Sequence, residues 1–97
     1  MTSKYKFPKD HVIILPHAEE YRDTYSISLD EVFKTLNEPD LHKGLSDERY
    51  TVEKTFGKKR VYIYYYQTYP LQGKPEELYA IVDFVGFSDI WAIKIYQ

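Results

Sequence analysis

The sequence predicts an α+β domain: two short N-terminal helices packed on a four-stranded antiparallel meander sheet. Three observations carry that prediction. A capping box at Ser28 and Glu31 opens a two-turn apolar stripe at helical spacing. From Arg49 onward the hydrophobic period drops from about 3.6 residues to two, the signature of strands. The composition leans the same way, because 11 Tyr, 5 Phe and 1 Trp make the chain 18% aromatic. Tyrosine favours half-buried strand positions, where its ring packs and its hydroxyl reaches water or a partner.

His11-Val12-Ile13-Ile14-Leu15 is a short β-branched run that fits either a first strand or an extended lead-in, and Pro16 stops it. Proline suits the first turn of a helix, where its missing N–H has no intrahelical partner to lose. A short helix is therefore expected from His17 to about Asp23, with Ala18, Tyr21 and Tyr25 on one face and Glu19 and Glu20 in the favourable first turn. The second helix begins at the Ser28 cap and carries Leu29, Val32, Phe33 and Leu36 as its apolar stripe. Ile27 is placed to pack back on Val32 as a hydrophobic staple, and Asn37 and Pro39 end the helix. Pro39 to Glu48 reads as a polar loop.

Four strands follow in this reading. Tyr50, Val52, Lys54 and Phe56 alternate along the first, and Gly57-Lys58-Lys59 turns the chain. Arg60 to Tyr66 is apolar or aromatic on both faces, as a central strand should be. After a long polar connection, Thr68 to Glu77, the third strand runs from Leu78 to Phe87, interrupted only by Asp83. Ser88-Asp89 turns into an alternating fourth strand, Trp91 to Tyr96. Nothing in the chain reads as a linker or repeat, so residues 1–97 are expected to form a single domain.

The bulk numbers narrow the classes. With 43% hydrophobic residues and a formal net charge of −2, the chain has the composition of a globular protein. That charge gives no global attraction to nucleic acid, so binding to RNA requires a local basic patch. There is no cysteine, hence no disulfide framework and no thiolate metal site, which points to the cytoplasm. Met1 to Lys6 leads into no signal-peptide core, and no apolar run is long enough to span a bilayer, so no membrane association is expected.

The order and spacing of several short pieces resemble the small DUF4258-type proteins, related to the BrnT and RelE-like ribonuclease toxins. His17-Ala18 stands where the family's helical motif begins, Ile27-Ser28 at the second-helix cap, and Asn37-Glu38-Pro39-Asp40 at that helix's end. Glu53-Lys54, Gly57, Arg60 and Val61 to Tyr64 match the family's hairpin, so the resemblance covers roughly residues 12–87. It implies a RelE-like sheet, RNA cleavage in a toxin–antitoxin or mobile-element system, and a cognate antitoxin protein as partner. The sequence departs from the pattern at Tyr21, which stands in the position of the family's helical arginine. Arg22 is one residue further on, about 100° around the helix.

RNA cleavage at a 2′-hydroxyl needs a base, an acid and a positive group near the phosphorus. His17 is the candidate for the first two roles, since an imidazole can both take and give a proton near neutral pH. The resemblance implies Lys54, Arg60 and Tyr64 as further catalytic residues, with Arg22, Lys58 and Lys59 as nucleic-acid contacts. Each also has a plain structural reading. His17 can be a surface or capping residue, Arg22 a partner of Glu19 or Asp23, Lys58 and Lys59 solvated turn lysines, and the tyrosines packing groups. Lys54 alternates with apolar residues, unusual for lysine, and Asp83 in an apolar strand needs a partner. No His, Asp or Glu spacing specifies a metal site, and no cofactor motif appears, so the expected cleavage needs neither. The competing reading is a non-catalytic interaction or accessory module, homodimeric through a terminal edge strand.

Overall fold

The computed structural model describes residues 6–69 and 78–88. A 3-10 turn, Lys9–His11, leads into β1, Val12–Ile14, followed by α1, Pro16–Thr24, and α2, Leu29–Asn37. Four strands then follow: β2, Leu41–Ser46; β3, Arg49–Phe56; β4, Lys59–Thr68; and β5, Tyr79–Phe87. The sheet order is β1-β5-β4-β3-β2. The strands from β2 to β5 run antiparallel to their neighbours, and β1 lies parallel to β5, with Val12 opposite Ala80 and Ile14 opposite Val82.

The sheet therefore corrects the four-stranded antiparallel expectation: among the described residues it is mixed and has five strands. One extra strand is β2, in the stretch expected to be a polar loop. All six of its residues are exposed, so neither face carries an apolar alternation for a sequence pattern to reveal. Its pairing to β3 is closed by Asp47 and Glu48, both at positive φ (41° and 65°), the geometry of a primed hairpin turn. Glycine or asparagine usually announces such a turn, and neither is present. The expected strand Trp91 to Tyr96 and most of the connection from Thr68 to Glu77 lie outside the described residues.

Local signals explain both helices. Pro16 occupies the first turn of α1, as expected. At α2 the Ser28 hydroxyl accepts from the Glu31 N–H (3.1 Å) and the Glu31 carboxylate accepts from the Ser28 N–H (3.0 Å), the reciprocal capping box. Ile27 and Val32 are both 1% exposed and share the core. That core joins Phe7, Ala18, Val32 and Leu36 to Val52, Val61, Ile63, Tyr65, Val82 and Val85. The strand register sets His42, Val52, Ile63 and Val85 in one row across the sheet on this face. The row one residue away, Lys43, Thr51, Tyr64 and Phe84, belongs to the opposite face because successive strand side chains alternate.

Candidate functional site

α1 packs along β5, and the contact is aromatic at its centre. Tyr21 meets Phe84 with ring centroids 5.0 Å apart, Tyr25 meets Phe87 at 5.5 Å, and Phe84 meets Tyr62 edge-on at 6.1 Å. At the N-terminal end of this seam the His17 Nε2 donates to the Asp83 carboxylate. A β-bulge makes the meeting possible. The β4–β5 register shifts between Tyr64 and Tyr65, which pair with Phe84 and Val82, and leaves Asp83 as the extra residue. Bulges re-aim side chains in this way.

This pair answers the question that Asp83 raised as a carboxylate in an apolar strand. It is half-open, with the His17 side chain 54% exposed and Asp83 37%. In the neutral imidazole, donation from Nε2 fixes the tautomer and leaves Nδ1 as a proton acceptor. A carboxylate-held imidazole facing solvent can therefore take up and return a proton.

The remaining predicted residues do not gather around it. Lys54 pairs in register with the fully buried Val61 and so lies on the core side of β3. Its ammonium donates to the Glu38 carbonyl at the end of α2 (2.7 Å) and stands 3.8 Å from Asp40. Asp40 also accepts from the Thr55 N–H (2.8 Å), and this bond holds its carboxyl below the usual range. Arg60 and Tyr64 lie on the other face of β4. Arg60 donates to Glu53 (2.9 Å) and to the Thr55 hydroxyl (2.6 Å). Lys59 is bound to Glu31 at 2.8 Å, joining the hairpin to the capping box.

Arg22 is turned away from the pair. It donates to Glu19 and to the Ile27 carbonyl (2.9 Å), tying the α1–α2 turn together, and the Glu19 bond raises the guanidinium pKa further. Lys58 sits exposed beside Gly57, whose φ of 63° makes the turn. Of the predicted cations, Arg22, Lys54, Lys59 and Arg60 each have a carboxylate partner, and Lys58 has no ion pair among the described residues.

The other histidines serve different ends. His11 lies against Tyr79, ring centroids 4.4 Å apart, with Nδ1 3.2 Å from the Leu78 carbonyl. His42 stacks on Tyr50 at 5.1 Å, and its Nε2 lies 3.4 Å from the Tyr65 hydroxyl. Among the described residues, no three His, Asp or Glu side chains converge in a way that would hold a metal ion. None of their helices is long and apolar enough to cross a membrane. No protein-family model, curated protein sequence or solved structure matches this chain.

Proposed function

We propose that the chain is a RelE- and BrnT-like toxin-family protein that cleaves RNA by acid–base chemistry, with His17 and Asp83 at its centre. The observation that supports this reading is the pair itself: an exposed imidazole oriented by a carboxylate that a β-bulge turns toward it. His17 Nδ1 takes the proton from a ribose 2′-hydroxyl, whose oxygen attacks the adjacent phosphorus. The P–O5′ bond breaks, a 2′,3′-cyclic phosphate forms, and the imidazolium returns the proton to the 5′ oxygen. Asp83 stabilises the imidazolium between the two transfers. A positioned acid–base group contributes about 10²–10⁴-fold to a rate.

The test is induced expression of the intact chain beside His17→Ala and Asp83→Asn variants, following growth and messenger-RNA integrity. Growth arrest with RNA loss, relieved by either substitution, is expected. Normal growth with intact RNA on expression of the folded, unsubstituted chain would sink the reading.

A second reading, a non-catalytic binding module, draws support from β2. Outermost among the described strands, β2 exposes Leu41 and Leu45 at 47% and 48% and pairs with β3. Strand addition there, by a cognate antitoxin or a second copy, would use that edge. Harmless expression together with a dimer mass in sedimentation would favour it.

A further inference from the structure

Of the cations expected to meet RNA, Arg22 and Lys59 are ion-paired within the fold and Lys58 is not, and one face of the sheet carries two further cations without such partners. Lys43 on β2 and Arg49 on β3 are exposed, and among the described residues neither has a carboxylate partner. Register puts both on the face of the sheet opposite the core. One row across that face reads Lys43, Thr51, Tyr64, Phe84, and the next reads Arg49, Tyr66, Ile81. Thr51 and Phe84 are buried, at 7% and 6%, while Tyr66 is half-buried. From a strand spacing of ~4.8 Å and a rise of ~3.4 Å per residue, the Lys43 and Arg49 backbones stand about 8 Å apart. Asp83, the partner of His17, adjoins Phe84 at the far end of the first row.

We propose that single-stranded RNA crosses this face, with Lys43 and Arg49 on successive phosphates and Tyr66 beneath a base, leading the strand toward His17. The proposal rests on the RNA reading above and names its binding surface. Charge complementarity selects the occupant. Two cations without carboxylate partners beside a half-exposed phenol ring suit a chain that alternates phosphates with flat bases. The neighbouring Glu48 carboxylate is turned to the Gln67 amide (2.6 Å), away from an ion pair with Arg49. Arg60, on the same face, is held by Glu53.

The experiment is fluorescence anisotropy of the full chain with a labelled 2′-O-methyl oligoribonucleotide, which cannot be cleaved, over a range of salt concentrations. Each phosphate contact on a single strand contributes a slope of about −0.7 in log affinity against log salt, so two predict about −1.4. Lys43→Gln and Arg49→Gln should each remove about half of that slope. Tyr66→Leu should weaken binding about tenfold and leave the slope unchanged, since stacking releases no counterions. Arg60→Gln and Lys54→Gln should bind like the parent. Absence of binding, a slope that falls with Arg60 or Lys54 instead, or tighter binding of an acidic peptide than of RNA would each overturn the proposal. Cleavage of natural RNA separates the two readings. If His17→Ala and the parent bind alike and neither cleaves, the acid–base reading fails and the surface stands. If the parent cleaves and the Lys43→Gln/Arg49→Gln double variant cleaves equally well, the surface alone is wrong.

Discussion

Lys54 separates a structural cation from a catalytic one, and Lys54→Met tests the difference while keeping the aliphatic stem. The ammonium donates at 2.7 Å to the Glu38 carbonyl, which belongs to the C-cap of α2 and has no helical partner beyond it. A hydrogen bond from a charged donor contributes about 1.5–3 kcal/mol, and a cation at a helix C-terminus about 0.3–1 kcal/mol. The side chain is 23% exposed, so water recovers part of the lost bond, and the low end of those ranges applies. The net expectation is a loss of about 1–2 kcal/mol. In a domain of this size that lowers the thermal midpoint by about 5–15 °C. Urea unfolding followed by far-UV circular dichroism measures it directly. Below the new midpoint, the proposed RNA cleavage per folded molecule should match the parent. Unchanged stability together with lost cleavage would refute the reasoning and return Lys54 to the site.

Two further predictions concern protonation. Burial pushes the Glu31 carboxyl up and is the largest single influence, but bonds from Lys59 and from Ser28 together hold it below its ordinary value of 4.5. A carboxyl lowered in the folded state stabilises the fold fully above that ordinary value, and the contribution is lost as pH falls through the folded one. Glu31→Gln should flatten the acid limb of the stability profile below about pH 4.5, measured by urea unfolding. For His42, burial first and then the nearby Lys6 lower the imidazole below 6.5. Its NMR titration midpoint should lie under that value and move up in Lys6→Gln. A midpoint unmoved by that substitution would rule out the Lys6 contribution.

The parts of the fold legible in the sequence are those whose causes are local. The capping box, the staple and the stop at Asn37 all lie within a dozen residues, and α2 formed where they predicted. Alternation from Arg49 announced β3, and the unbroken apolar and aromatic run from Arg60 to Tyr66 announced β4, the central strand, which buries residues on both faces. What escaped depends on distant partners. β2 has no apolar pattern because pairing with β3, and no buried face, makes it a strand. The parallel pairing of β1 with β5 joins segments nearly 70 residues apart, as does the His17–Asp83 pair (separation 66). Sequence singled out both members of that pair for separate reasons, but only the bulge brings them together.

The same logic decides which cations matter for an anionic ligand. Sequence makes Lys54, Lys59 and Arg60 conspicuous because they sit in a hairpin, but a hairpin also brings them carboxylates. A phosphate that recruits Arg60 must first displace Glu53 at 2.9 Å, and one that recruits Lys59 must break the bond to the α2 capping box. Neither exchange gains much, because each trades one anion for another around a partly exposed cation. A phosphate at Lys43 or Arg49 displaces water and small counterions, whose release supplies the free energy of binding. With a net charge of −2, the chain has no global attraction for RNA, so the proposed recognition would have to come from cations that the fold leaves without partners. The proposed binding surface therefore follows from which ion pairs the fold completes, because Lys54, Lys59 and Arg60, conspicuous in the sequence, are ones it has already used.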